Sequence, residues 1–244
     1  MPNRATTYLL ASDVSDARAV WLNPAGLAVR TTASVHADLT VGDPGATGRL
    51  RQVTAGFNSR GLAIAYQWDQ LDGESNGHTY RIAWGTATST VALGVAGTVY
   101  RGGAKASGFD FGVVYTPRPD VTLSAAVANV GQPRVRGVQL HATMTPAVTV
   151  RAFGGNAALS VQAAFPRDDE IGLAFGLRAG ATRRLPLGIL VRLDTDRSLR
   201  RAAFAFGLSW GIRDQLGAVV TTPGDVSEVD AASVYGVSSR DVAR

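Results

Sequence analysis

The sequence contains no cysteine, a single lysine (Lys105) and three histidines far apart from one another. Without cysteine there can be no disulfide framework, thiolate metal site or thiol nucleophile. His36, His78 and His141 have no metal-ligand spacing among them, so no metal site is expected. His36 and His141 read as ordinary strand residues. No apolar run approaches the roughly 20 residues of a membrane-spanning helix. The longest, Val91 to Tyr100, is interrupted by Gly94, Gly97 and Thr98. No serine lies in a nucleophile elbow, and Gly154-Gly155-Asn156 does not match a phosphate-cradling loop ahead of a helix. Asp168-Asp169-Glu170 lacks the spaced ligand series of a calcium loop and reads as a solvated turn. The expectation is a protein that is not an enzyme, with no catalytic residue and no cofactor.

Charge excludes another class. Lysine plus arginine number 24 against 19 for aspartate plus glutamate, and nearly all of the positive charge is arginine. The arginines are dispersed along the chain rather than clustered in one segment, which argues against nucleic acid as a partner.

What the chain does have is a period of two. Leu62, Ile64, Tyr66 and Trp68 alternate with Ala63, Ala65 and Gln67, and Phe109, Phe111, Val113 and Tyr115 alternate with Asp110, Gly112 and Val114. Leu159, Val161, Ala163 and Phe165 oppose Ser160 and Gln162; Ile171, Leu173, Phe175 and Leu177 oppose Gly172, Ala174, Gly176 and Arg178. Leu187, Ile189, Val191 and Leu193 oppose Gly188, Leu190, Arg192 and Asp194, and Phe204, Phe206, Leu208 and Trp210 oppose Ala205, Gly207, Ser209 and Gly211. Successive strand side chains point to opposite faces, so each segment has one bulky apolar face. In a soluble antiparallel sheet the second face meets water and carries charged and polar residues. Here it is mostly glycine, alanine and serine, which suits the inside of a closed barrel. Repeated glycine on that face implies close packing against something within.

Turn signals separate the segments: Gly42-Asp43-Pro44-Gly45, Asn58-Ser59-Arg60-Gly61, Asp72 to Gly77, Arg101-Gly102-Gly103, Pro117 to Asp120, Pro166 to Glu170 and Asp194 to Arg197. Long and tight connections alternate in the first half; after about Thr145 the alternation is lost, which marks a strand split or merged in this reading. Trp68, Tyr80, Trp84, Tyr100, Tyr115 and Trp210 lie near segment ends, as an interfacial girdle requires. With roughly 15–18 residues per strand and turn, the pattern predicts an all-β antiparallel transmembrane barrel of about 14 strands, with 12 as the alternative.

Helical spacing occurs only near the start, over Ser15 to Leu22, and Asn23-Pro24 ends it. The stretch Asp16 to Ala28 (DARAVWLNPAGLA), ahead of the first strand, resembles the start of the FadL-like outer-membrane transporters of fatty acids and other hydrophobic compounds, and of the related PorV-type barrels. Leu123 to Pro133 is similar to the strand ending in Asn-Leu-Gly common in that group. The resemblance implies a plug, residues 1–30, whose Asn23, Pro24, Ala25 and Gly26 sit in the lumen of a barrel formed by residues 31–244. Irregular backbone of this kind is tolerated at membrane depth only where protein or water shields it.

The functional expectation is an outer-membrane barrel passing small hydrophobic molecules, with Asp110, Gln162, Arg178, Arg192 and Asp194 as the polar lining and Asp110 or Asp194 as countercharge to the arginines. Expected partners are membrane lipid, a small hydrophobic ligand and other envelope proteins. Two alternatives stay open: a non-transporting barrel that anchors an envelope or secretion complex, and a soluble all-β protein. Met1 to Ser12 lacks the apolar core of an export signal. Location in a bacterial outer membrane therefore implies a leader upstream of Met1, or a processed or trimmed chain. The last expected strand is about Ala232 to Val237, and the ending Ser238 to Arg244 leaves room for a downstream domain.

Overall fold

A segment with one bulky and one small face is stable as a strand only if both faces find their proper surroundings, and a sheet of such strands is stable only if its edges are paired. The computed structural model, which describes residues 2–42, 48–70, 76–103, 105–223 and 228–242, meets both conditions by closing the sheet on itself. The strands are β1 (Thr32–Gly42), β2 (Arg49–Ser59), β3 (Leu62–Asp69), β4 (Gly77–Ala87), β5 (Val91–Arg101), β6 (Ala106–Arg118), β7 (Val121–Val130), β8 (Arg134–Val135), β9 (Val138–Gln139), β10 (Thr143–Ala152), β11 (Ala157–Pro166), β12 (Gly172–Ala179), β13 (Leu187–Asp196), β14 (Arg201–Trp210), β15 (Asp214–Pro223) and β16 (Ala231–Asp241). Fourteen of them form one closed antiparallel barrel. Each pairs with the next along the chain, except that β7 pairs with β10, and β1 pairs with β16 to shut the ring. β8 and β9 form a separate small hairpin.

The alternation of long and short connections is lost after Thr145, as expected from the sequence, because the connection after β12 (residues 180–186) is longer than those after β11 (167–171) and β13 (197–200). The connection from β7 to β10 carries the β8–β9 hairpin and is the longest at its end of the barrel. The tight end comprises Arg60-Gly61, Thr88 to Thr90, Pro119-Asp120 and the turns after β10, β12 and β14. Arg60 and Gly61 both take positive φ (51° and 88°), the two-residue turn whose twist matches a hairpin. A Cβ on Gly61 would also lie 2.3 Å from the Gly85 carbonyl oxygen. The turn signals Asp43-Pro44-Gly45 and Asp72 to Ser75 fall outside the described residues, as do Ala243 and Arg244.

The two faces separate as the periodicity predicts. Leu62, Ile64, Ile82, Leu93, Phe109, Phe111, Leu159, Leu177 and Leu208 are exposed on the outside, while Ala63, Ala65, Ala83, Ala96, Ala126, Ala158, Ala174 and Ala205 are buried on the inside. Two stacked sheets would have buried Leu62, Phe111, Leu173 and Phe206 against one another. Instead Leu62, Phe111 and Phe206 are exposed and Leu173 is half-buried, all on the outer face. Of the expected girdle aromatics, Tyr80, Trp84, Tyr115 and Trp210 are exposed outside, with Trp68 half-buried on the same face. Tyr100 differs. It shares parity with Ala92, Gly94, Ala96 and Thr98 and faces the lumen.

The segment ahead of β1 lies within the ring. It carries two single-turn helices, α1 (Ala5–Tyr8) and α2 (Ala19–Leu22), and a 3-10 turn over Pro24–Ala28. The helix expected from Ser15 is confined to its last turn. α1 was not expected from its sequence, because Ala-Thr-Thr-Tyr is a poor helix former. It is held from outside the helix: the Asn3 side chain accepts from the Ala5 N–H at 2.9 Å, and the Arg4 N–H donates to Gln52 of β2 at 3.0 Å.

Closure of the ring is directly testable in a chain without cysteine. Ala37 of β1 and Gly236 of β16 are register partners on the outer face. The double variant Ala37→Cys/Gly236→Cys is expected to form an intramolecular disulfide under oxidising conditions, read as a reducible shift in gel mobility. A pair such as Ala37→Cys/Leu123→Cys, on opposite sides of the ring order, should not form one.

Candidate functional site: the plugged lumen

The plug is seated where the inner wall is lowest. Asn23 Nδ2 donates to the Val113 carbonyl of β6 at 3.2 Å, and its Oδ1 accepts from the Ala25 N–H at 3.1 Å. Pro24 then starts the 3-10 turn with its φ already fixed. Neighbouring β5 and β6 offer glycines at this level. A Cβ on Gly94 would lie 2.3 Å from the Ala25 nitrogen, and one on Gly112 would lie 1.9 Å from Asn23 Oδ1. Gly26 is needed by the plug itself, since its Cβ would meet the Val14 carbonyl oxygen at 2.6 Å. Asn23, Pro24, Ala25 and Gly26 are all buried, and Asn23 and Ala25 have no exposed surface.

Inward arginines strap the rest of the plug. Arg192 of β13 holds Asp194 through Nε and Nη2, the latter at 2.7 Å, so Asp194 supplies the expected countercharge. Its Nη1 donates to the carbonyls of Thr6 (2.7 Å) and Leu9 and ties down the end of α1. Arg178 of β12 finds a different partner from either one expected. It donates to Asp13 of the plug, Nε to Oδ2 at 2.6 Å and Nη2 to Oδ1 at 3.1 Å. Arg151 of β10 reaches the same carboxylate at 3.1 Å. Gln162 of β11 accepts from the Ala11 N–H at 3.0 Å. Asp110 of β6 pairs with Arg81 of β4 and accepts the Asn129 N–H at 2.8 Å, at the place where the β6–β7 register shifts. All five polar residues expected in the lumen face it, but Asp110 serves Arg81 rather than Arg178 or Arg192.

Within the plug, Arg18 grips Asp16, Nε to Oδ1 at 3.0 Å and Nη2 to Oδ2 at 2.7 Å. The same guanidinium sits 5.2 Å from the ring centroid of Tyr235, on which Tyr8 stacks at 5.5 Å. Burial pushes the Tyr8 phenol far above its usual range, so it stays a neutral donor to Asp38 of β1 at 3.3 Å. Burial would also raise the Asp16 carboxyl, but Arg18 outweighs it and holds that group below the usual carboxylate range.

These contacts fill the middle of the lumen: Ala17, Ala19, Val20 and Leu27 have no exposed surface. At the long-loop end a cavity of about 530 Å³ remains. Its floor is Asn3, Thr6 and Trp21 of the plug; its wall includes Arg81, Tyr100 and Asp110; its roof is Val135, Val138 and Leu140 of the β8–β9 connection. The Arg81 guanidinium lies 5.4 Å from the Trp21 ring centroid. Arg136 anchors the roof by donating from Nε and Nη2 to the Gly102 carbonyl, at 3.2 and 2.9 Å. A second cavity of about 540 Å³, at the tight end, shares no lining residue with the first.

No protein-family profile matches the chain, and no curated protein does. Solved structures do. The CymD monoaromatic hydrocarbon channel superimposes with a TM-score of 0.59 over 95% of this chain and 93% of that chain, at 10% identity. A mutant of the Rh. blastica porin superimposes with a TM-score of 0.51 over 86% of this chain and 99% of that one, at 8% identity. The fold is that of a porin-like barrel. Likeness at this identity is one of backbone architecture, so the side chains that distinguish this porin-like barrel are its own. Sequence reasoning missed Asp13, Arg81 and Arg151. The parity of Arg81 with Ala83 and of Arg151 with Thr149 could have placed both arginines inside, whereas nothing local marks Asp13.

Removing the carboxylate that two arginines share, by Asp13→Ala, is expected to weaken plug docking by on the order of 2 kcal/mol, the scale of hydrogen bonds to charged groups. The change should appear as proteolytic release of the plug with the barrel itself intact. The Asp16–Arg18 pair gives a pH signature. A carboxylate depressed in the folded state contributes fully above its unfolded pKa of ~4 and loses that contribution as pH falls through the lower folded value. The part of plug protection that this pair supplies should therefore be complete above about pH 5 and be lost in stronger acid. In Asp16→Asn this acid-dependent component should be absent.

Proposed function

We propose that this porin-like barrel lies in a bacterial outer membrane and passes small hydrophobic molecules across it, residues 1–30 forming the plug and residues 31–244 the barrel. The observation that carries the reading is a closed ring with an apolar outer face around a lumen that keeps a ligand-sized cavity. An unbroken apolar belt on a ring without edges is solvated by hydrocarbon at little cost and by water at high cost. A cavity of about 530 Å³ is in the range of small-molecule sites, and Trp21, Tyr100, Val135, Val138 and Leu140 give it apolar and aromatic surface. The FadL-like features of Asp16 to Ala28 support the same reading, as does the likeness of the fold to a monoaromatic hydrocarbon channel. Membrane lipid and a small hydrophobic ligand are then the partners.

Because the plug fills the middle of the lumen, passage requires it to shift. The straps from Arg178 to Asp13 and from Arg192 to the α1 carbonyls set how easily it does. The packed plug also favours a second reading: a sealed barrel that anchors other envelope proteins and conducts nothing.

Proteoliposomes separate the two. The double variant Arg178→Ala/Arg192→Ala is expected to raise ion conductance and uptake of a monoaromatic hydrocarbon such as toluene several-fold over the unsubstituted chain. Unchanged conductance and uptake in both proteins would leave the anchor reading and reject transport.

A further inference from the structure

The rim at the tight end is uneven. Three of its turns, after β6, after β2 and after β4, are short and carry no exposed large apolar residue. The three others, after β10, β12 and β14, lie side by side around the ring and present Phe153, Leu185 and Ile212 to the outside of the protein. Phe153 is 83% exposed and sits at a φ of +54°, a left-handed backbone that a phenylalanine adopts at a cost. Neighbouring hairpins of a sheet are about 10 Å apart, so the three tips span an arc of about 20 Å.

These turns form one braced platform. The Gly180 N–H donates to the Asn156 carbonyl at 2.6 Å, joining the first turn to the second, and the Gly211 N–H donates to the Pro186 carbonyl at 2.8 Å, joining the second to the third. Within the middle turn, Thr182 Oγ1 accepts from the Leu185 N–H at 3.1 Å and holds Arg183 and Arg184 at the tip. Both arginines are exposed, and neither has a hydrogen-bond or ion-pair partner among the described residues. The carboxylates at this end of β15 and β16 are already engaged: Asp214 with Arg240 and Ser238, and Asp241 with Arg213. Beside Ile212 and Arg213 opens the cavity of about 540 Å³, which runs in to Asp16 and Arg30 of the plug.

We propose that this half of the rim is a docking surface for a periplasmic protein, engaged through an acidic segment that also carries apolar side chains. Orientation rests on the outer-membrane reading, in which tight turns face the periplasm. Unpaired arginines flanked by exposed apolar tips match carboxylates flanked by apolar side chains. A lipid surface fits less well. The bilayer surrounds the barrel on all sides, so a membrane anchor would repeat around the rim, whereas these features occupy one half of it. A segment lying in the adjacent cavity would touch Asp16 and Arg30, so the surface connects a partner to the plug.

The test uses the full chain in phosphatidylcholine nanodiscs and two fluorescent twelve-residue peptides of alternating charge and leucine, one with glutamate and one with lysine. Fluorescence anisotropy is expected to show binding of the glutamate peptide alone, weakened by salt. Affinity should fall at least tenfold in R183E/R184E and in F153S/L185S and stay unchanged in R118A on the opposite half of the rim. Equal binding of both peptides, or affinity unmoved by both double variants, would overturn the proposal. So would recruitment of phosphatidylglycerol around the barrel that R183E/R184E abolishes without an effect on peptide. Nanodisc insertion is scored separately by heat-modifiable gel mobility: failure to insert rejects the membrane reading, and insertion without peptide binding rejects the docking surface.

Discussion

Everything in this molecule depends on the separation of bulk between the two faces of each strand. A ring of strands whose large side chains point outward leaves a lumen lined by alanine, glycine and short polar groups. A lumen so lined has room for thirty residues of chain. The plug can then bring irregular backbone and ionised side chains into the middle of the barrel, because the wall supplies every kind of partner it needs: carbonyls, amides, carboxylates and guanidinium groups. Where the wall is lowest, at Gly94 and Gly112, the backbone of Pro24 and Ala25 comes nearest to it.

The charged groups inside follow one rule. An arginine taken out of bulk water must be met by a carboxylate or by several carbonyls. Arg178 and Arg151 share Asp13, Arg192 takes Asp194 and two plug carbonyls, Arg81 takes Asp110, and Arg18 takes Asp16. Apart from Arg18–Asp16, which lies within the plug, two kinds of contact result. Pairs within the wall, Arg81–Asp110 and Arg192–Asp194, set its shape. Contacts between wall and plug, centred on Asp13 and the α1 carbonyls, set how firmly the lumen is closed. Only the second kind needs to break for the plug to move.

Much of the fold was legible because a period of two is a local signal. The segments around Leu62, Phe109, Leu159 and Phe204 can each be read alone, and each names its outer face. What defeated local reading was irregularity: the connections after β10 no longer alternate long and short, and α1 has no helical pattern of its own. Tyr100 lies near a strand end, as a girdle residue would, but its parity with Ala96 and Thr98 places it inside. The site was legible by type and not by pairing. Parity put Arg178, Arg192, Gln162, Asp110 and Asp194 in the lumen, yet Arg178 found its carboxylate 165 residues away in the plug. No spacing in the sequence carries that information, because the contact exists only once the ring has closed.

The measurement that bears most directly on this account is a single-cysteine scan of Leu62 to Asp69 in lipid vesicles, with an environment-sensitive probe at each position and a quencher attached to the lipid tails. The account predicts alternation: strong quenching at Leu62, Ile64, Tyr66 and Trp68, and protection at Ala63, Ala65 and Gln67. Uniform quenching, or none at any position, would contradict it.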